Sequence, residues 1–340
     1  MKTKLYILAL VLTGFNGFSQ VKDTLAEKIL IYQLPIGGWG KQLDDKSVVN
    51  YNLPIDEVLL KRIKKTGNDH ATIDNNATSK EINALIKAFK ITKNPDYLKS
   101  AEKGIKYLLL MQYKNGGFPQ YYPNTGLYRK QITYNDNAMI NALMVLYNVA
   151  AGKNDFDVIV DYHIKQQSKI AVQKGIECIL KTQVLQKGIL SIWADQYNEI
   201  TLQPDKARAF EPISLATGES VGIVRFLMMQ PITPEIEKSI RSAIKWFQEN
   251  KLNGYSYNVA KQNGKAVRIL AEDKSSVIWA RFYDINNNKP LFGDRDGSVK
   301  YNYNEVSEER RNGYSWFGDA PAKLIDKEYS KWIGENNLPE

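Results

Sequence analysis

Two short segments concentrate acidic and amide side chains: Thr72-Ile-Asp-Asn-Asn-Ala-Thr78 and Thr133-Tyr-Asn-Asp-Asn-Ala-Met139. Oxygen donors without imidazole or thiol suit a hard cation such as calcium. Asp74, Asn75, Asp136 and Asn137 are therefore candidate ligands. Helix capping is the plainer reading, because Asp and Asn are favoured at helix N-termini. A cluster used twice, with an aromatic, Gly-rich loop between the copies, favours a site. A second set of residues places arginines beside aromatics: Arg208-Ala-Phe210, Trp279-Ala-Arg281-Phe-Tyr283 and Phe292-Gly-Asp-Arg295. Such a setting is untypical of a solvated face and suits bidentate recognition of carboxylates.

Other chemistries have little to work with. His70 lies close to Asp74, but one imidazole cannot build a His-rich metal centre, and His163 stands in a plain polar stretch. Cys178, in Ile176-Glu-Cys-Ile-Leu180, lies on an apolar helix face and reads as core. The chain has no nucleophile elbow and no Gly-rich phosphate loop. Carboxylate, amide, Arg, Lys and Tyr chemistry remains. With calcium it points to an acidic sugar polymer, which can be cut by β-elimination. The C5 proton of a uronic acid lies α to a carboxyl group. A cation and guanidinium groups on that carboxyl would stabilise the enolate-like transition state while a base takes the proton.

The balance of charge agrees. The net charge is +9, and +7 without Lys2 and Lys4. A basic exported chain suits an acidic partner: nucleic acid, anionic lipid or acidic polysaccharide. Export is expected because Lys2 and Lys4 precede the apolar run Leu5 to Leu12, with small residues and Ser19-Gln20 after it. Residues 1–20 thus read as a signal peptide, and 21–340 as one catalytic domain, secreted or periplasmic. No later segment is apolar enough to cross a membrane.

The elements that must position these residues read as helices. Apolar spacings of three and four mark 80–92 with 96–113, 137–151 with 165–183, and 217–229 with 234–250. Further helices are expected over 271–284 and 319–334. Gly-aromatic turns recur at Gly37-Gly-Trp-Gly40, Gly116-Gly-Phe-Pro119, Gly188-Ile-Leu-Ser-Ile-Trp193 and Gly254-Tyr-Ser-Tyr257, about 65 to 80 residues apart. Helical hairpins repeating around a shared centre predict an all-α chain, an α/α toroid with long loops lining a groove at one end.

These motifs resemble those of the polysaccharide lyase family 10 pectate lyases, over nearly the whole mature length. The resemblance is carried by Asp74-Asn-Asn-Ala-Thr78, Gly116-Gly-Phe-Pro-Gln-Tyr-Tyr-Pro123, Tyr134-Asn-Asp-Asn-Ala-Met139 and Trp193-Ala-Asp-Gln-Tyr197. It continues through Ala207-Arg-Ala-Phe-Glu-Pro-Ile-Ser214, Thr217-Gly-Glu-Ser-Val221, Trp279-Ala-Arg-Phe-Tyr-Asp284, Arg295-Asp-Gly297 and Glu309-Arg-Arg-Asn-Gly-Tyr-Ser-Trp316. It implies an α/α toroid and calcium-assisted β-elimination of polygalacturonate. It implies Arg208 as catalytic base, and Asp74 and Asp136 as calcium ligands. Substrate-binding roles are implied for Asn75, Arg281 and Arg295. The protein is expected to act as a monomer on an acidic polysaccharide, with neither nucleic acid nor membrane as partner.

An arginine base is unusual, because a free guanidinium holds its proton to a pH above about 12. Nearby cations and burial would have to favour the neutral form, and alkaline conditions would help. The chain also departs from the family pattern. Gly37-Gly-Trp-Gly-Lys-Gln42 replaces the usual Gly-Gly-Trp-Pro-Lys-Asn, keeping Lys41 as a candidate for the substrate carboxylate. Tyr134-Asn-Asp-Asn137 has Asn where a second Asp is common, which removes one charge from the metal site. Two rivals stand beside the lyase. One is a glycoside hydrolase using Asp74 and Asp136 as acid and base; the other is a sugar-binding protein without catalysis.

Overall fold

The computed structural model describes residues 21–262 and 264–339; the expected signal peptide, 1–20, lies outside the described residues. Helices α1 (Thr24–Tyr32) and α2 (Glu57–Lys65) precede three helical hairpins. These are α3 (Ser79–Thr92) with α4 (Pro95–Met111), α5 (Ala138–Ala151) with α6 (Tyr162–Thr182), and α7 (Thr217–Met228) with α8 (Pro234–Glu249). Their ends follow from local sequence. Pro95 and Pro234 occupy the first turns of α4 and α8, behind the capping side chains of Asn94 and Thr233. Helices α3 and α5 stop at left-handed Lys93 and Gly152. Helix α5 packs on both α3 and α7, while α6 packs on α4 and α8, and α1 on α4. The hairpins thus stack as an inner and an outer layer. Helix α5 lies at the centre, with Met139, Ile140, Leu143, Val145, Leu146 and Val149 all buried. Cys178 is buried as expected. No described helix is long and apolar enough to cross a membrane.

The repeat is real at the level of single hydrogen bonds. Gln33, Gln112 and Gln183 follow the ends of α1, α4 and α6. Each side-chain amide donates to its own loop and to the next outer helix. Gln33 reaches Gly37 O (2.8 Å) and Ser100 O (2.9 Å); Gln112 reaches Gly116 O (3.0 Å) and Ala171 O (2.9 Å). Gln183 reaches Ser191 O (2.7 Å) and Ser239 O (3.1 Å). The loop tryptophans insert into the core in the same way. The indole N–H groups of Trp39, Trp193 and Trp279 donate to Ile29 O, Ile179 O and Phe247 O, at 2.9, 2.8 and 2.8 Å.

The expected all-α class is overturned, and the α/α toroid with it: the chain is 49% helical and 17% strand, a mixed α and β structure. The strands are β1 (Ile132–Thr133), β2 (Leu185–Gln186), β3 (Ile189–Leu190), β4 (Gln196–Tyr197), β5 (Leu215–Ala216), β6 (Leu252–Gln262), β7 (Lys265–Ala280), β8 (Phe282–Tyr283), β9 (Pro290–Gly293), β10 (Val299–Lys300) and β11 (Phe317–Gly318). All named pairings are antiparallel: β1 with β4, β2 with β3, β5 with β8, β8 with β9, β9 with β10, β6 with β7, and β7 with β11. The helix expected over 271–284 is mostly strand β7. Its partner β6 alternates Tyr255, Tyr257 and Val259 with small or polar residues, a period of two that suits a strand. After the ribbon come α9 (Glu308–Gly313), α10 (Ala320–Lys323), a wide helical turn Leu324–Tyr329, and α11 (Ser330–Glu335). Those last three bear out the helix expected over 319–334.

Candidate active site

Each Asp-Asn cluster forms one tight turn immediately before an inner helix: Asp74–Asn76 before α3 and Asn135–Asn137 before α5. The two turns pack against each other. Neither helix receives a side-chain cap hydrogen bond, so capping does not account for these residues. Asn75, Asn76, Asp136 and Asn137 instead adopt left-handed backbone, with φ of +49°, +61°, +53° and +57°. Asx residues tolerate this conformation; β-branched Thr78, at φ +65°, does so only under constraint. Its hydroxyl accepts from Trp39 N (3.0 Å) and donates to Thr72 O (2.8 Å). Strain held in place this way clusters at functional sites. The acid sits one place apart in the two copies. Asp74 corresponds to Asn135 and is 4% exposed, whereas Asp136 corresponds to Asn75 and is only partly covered.

The following repeat holds each turn. Gln120 O accepts from Ile73 N (3.2 Å), Asp195 O from Tyr134 N (2.8 Å), and Arg281 O from Thr217 N (3.0 Å). These residues, and Lys41, occupy one repeat position: they follow Trp39-Gly, Phe118-Pro, Trp193-Ala and Trp279-Ala. Four loops therefore deliver Lys41, Gln120, Asp195 and Arg281 to the inner-helix N-termini.

The charges meet there. Lys41 forms an ion pair with Asp74. Burial draws the Lys41 ammonium down, but the charge and hydrogen bond of Asp74 hold it above its ordinary value. Arg281, largely buried, donates to Glu219 Oε1 (3.0 Å) and Asn135 Oδ1 (3.2 Å), with Asp136 Oδ1 at 3.8 Å. Burial pushes the Asp136 carboxyl up; Glu219 and Asp74 add to this, against the pull of Arg281 and Arg208. Arg208 makes a two-pronged pair with Glu211, its Nε at 2.7 Å from Oε2. That hydrogen bonding raises its proton affinity further, with burial opposing. Arg295 stands apart from the aspartates, paired with Glu309 at 3.0 Å. It shares the Phe210 ring with Arg208, their guanidinium carbons lying 5.1 and 4.6 Å from its centroid. Asn75 is exposed on its turn. The structure thus gathers Lys41, Asp74, Asp136, Arg208 and Arg281, with Arg295 joined at the edge.

Sequence reasoning passed over the residues that hold these groups. Glu211 is 1% exposed and also accepts from the Tyr314 hydroxyl (3.1 Å); the Tyr314 ring lies 4.8 Å beneath Arg281. Asp195 is fully buried. Burial, then Glu211 and Glu219, keep its carboxyl well above the usual range, against Arg281. Arg310, 5% exposed, covers Phe210 at 4.6 Å. All lie inside the quoted motifs, and the shared Trp-Ala-X-X-Tyr pattern of Trp193–Tyr197 and Trp279–Tyr283 would have paired Asp195 with Arg281.

Among the described residues, no three acidic or imidazole groups stand close enough to hold a metal alone. Asp74 and Asp136 nonetheless present oxygen donors on touching turns, and Glu219 adds a further carboxylate within electrostatic reach of Asp136. A hard cation fits there if a ligand's own oxygens complete its shell of six to eight.

Fixed guanidinium groups interleaved with carboxylates, beside the N-termini of stacked helical hairpins, suit the recognition of carboxylated ligands. Comparison with known proteins makes this specific. The pectic acid lyase family model matches residues 33–325, and the chain belongs to that family, as a polysaccharide lyase. A family 10 polysaccharide lyase from Cellvibrio cellulosa is 37% identical, with a TM-score of 0.82 and 92% of each chain covered. A mutant of a family 10 lyase from that organism, solved in complex with trigalacturonic acid, matches with the same values. Comparison with curated proteins gave no match.

Proposed function

We propose that this pectate lyase cleaves polygalacturonate by β-elimination, with calcium as cofactor and Arg208 as base. The observation that carries the reading is the convergence of Asp74, Asp136, Arg208 and Arg281 on one small region. The trigalacturonic acid complex of the related lyase supports a galacturonate substrate. Arg281 and Lys41 would take the sugar carboxylate and stabilise charge building on it. Arg208 would remove the C5 proton, the C4–O bond would break, and its electrons would leave with the oxygen, which is then protonated. A C4–C5 double bond forms in the product. Calcium bound to Asp74 and Asp136 would add positive charge at the carboxylate.

Glu211 opposes this role, because its carboxylate stabilises protonated Arg208. The base therefore acts once that pair is loosened, and the neighbouring cation Arg295 favours its neutral form. An alkaline optimum follows. The reading also has the protein exported, on the strength of the expected signal peptide, and acting as a monomer.

The test is incubation with polygalacturonate, with and without a chelator, followed by ultraviolet absorbance. Unsaturated product should form, vanish with chelator, and return with calcium. Cleavage without absorbance would mean hydrolysis by the carboxylate pair; absorbance indifferent to chelator would remove calcium from the mechanism. Asp74→Ala and Asp136→Ala should lose activity that high calcium partly restores. No restoration would mean that these groups do not hold the ion.

A further inference from the structure

Most cations of the site are already engaged. Lys41 pairs with Asp74, Arg208 with Glu211, Arg281 with Glu219, and Arg295 and Arg310 both with Glu309. Arg129 differs. Among the described residues Arg129, half-buried as a residue, has no carboxylate within pairing distance of its guanidinium and no side-chain hydrogen bond. It lies over the ring of Tyr121, 4.8 Å from the centroid. Tyr121 is half-buried and within electrostatic reach of Lys41 and Asp74. Arg129 therefore stands on the Lys41 flank of the site.

Its backbone is well anchored. Arg129 belongs to the tight turn Leu127–Lys130, and its carbonyl accepts from Gln120 N at 2.8 Å. The Tyr113 hydroxyl donates to Lys130 O (2.7 Å), and the Gln131 amide donates to Lys206 O (3.0 Å), two residues before Arg208. Tyr128 of the same turn acts on both Lys41 and Arg208. The turn thus bridges the two sides of the site.

A guanidinium carries five N–H donors, and at Arg129 no described protein group meets them, which leaves them to water. The aromatic face fixes its plane and contributes attraction of its own, but satisfies none of those donors. A carboxylate arriving at Lys41, Arg208 or Arg281 must compete with an internal acid; at Arg129 it displaces only water. We infer that Arg129, stacked on Tyr121, is a binding subsite for the carboxylate of a second uronate residue, beyond the one at the reacting bond. This rests on the galacturonan-lyase reading, since a polyuronate places a carboxylate on every ring.

The experiment compares wild type, Arg129→Ala, Arg129→Gln and Arg208→Ala. KM and kcat are measured on polygalacturonate, and binding of oligogalacturonates is measured with and without methyl esterification. Arg129→Ala should raise KM roughly tenfold at nearly unchanged kcat, the scale of one lost charge-assisted contact. That loss should disappear on methyl-esterified oligomers, which carry no carboxylate for Arg129. If Arg129→Ala does not fold, Arg129→Gln, which keeps the length and loses the charge, decides by the same readouts. Wild-type KM in these variants, a fall in kcat alone, or an equal loss on esterified oligomers would overturn the subsite. Retained activity in Arg208→Ala would instead overturn the assignment of the base, and leave the subsite to be judged from the binding data.

Discussion

At the scale of single residues, the proposed chemistry turns on Arg208 and the acid that holds it. Arg208→Ala and Arg208→Lys should each lower kcat about a hundredfold to ten-thousandfold, the usual span for a lost general base, with substrate affinity nearly kept. Lysine keeps charge but not the planar fork. Steady-state kinetics at alkaline pH decides; a variant near the wild-type rate would remove Arg208 from the mechanism. Glu211→Gln tests the restraint. Glu211 raises the proton affinity of Arg208. Replacing it by a neutral amide lowers that affinity, so more of the base is unprotonated at a given pH. The rising limb of the kcat/KM profile should move to lower pH. A profile that falls in height without moving would make Glu211 a packing group only.

At the scale of elements, the Asn135–Asn137 turn, which carries Asp136, depends on close approach by α7. A β-carbon at Gly222 would lie 1.9 Å from Asn137 Oδ1, an atom that is buried without a partner. Asn137 is itself in left-handed backbone. Gly222→Ala should cost about 1–3 kcal/mol by overpacking, measured by denaturant unfolding, and should reduce activity through the displaced Asn135–Asn137 turn. Unchanged stability would show that the turn adapts freely. The three helical hairpins were legible because each carries a dozen or so residues of consistent apolar spacing between recognisable starts and stops. The site's Asp-Asn turns were legible too, as repeated composition. The short strands were not: Ile132–Thr133 or Leu215–Ala216 is too brief to show any period. The ribbon could have been read from the alternation of Tyr255, Tyr257 and Val259, but Gly254-Tyr-Ser-Tyr257 matches the Gly-aromatic turns and 271–284 reads as one further helix. Glu211, Glu219 and Asp195 escaped notice because a buried acid next to an arginine looks the same in sequence as a surface one.

At the scale of the whole molecule, the site is assembled at a cost to stability. A carboxyl whose folded pKa is raised supports the fold below its ordinary pKa and ceases to do so as pH rises through the folded value. Asp195, held up by burial and by Glu211 and Glu219, is such a group. Asp195→Asn should therefore raise Tm at pH 8, and the gain should shrink as pH falls toward about 4, where the unfolded-state aspartate also takes up its proton. Activity should fall at the same time, because Asp195 contributes to the field around Arg281. A Tm difference independent of pH would show that the acid's charge carries no such cost. The internal pairing of Lys41, Arg208, Arg281 and Arg295 also determines which anions the protein can notice. At these four cations a small acid bearing one negative charge would only trade places with a resident carboxylate, and Arg129 offers it a single contact. A chain with carboxylates at regular spacing makes its first exchange as a bimolecular event and the later ones from an effective concentration in the millimolar range. Recognition under the proposed function then depends on how many charges arrive tied together, so the protein should bind free uronic acid far more weakly than the intact polymer.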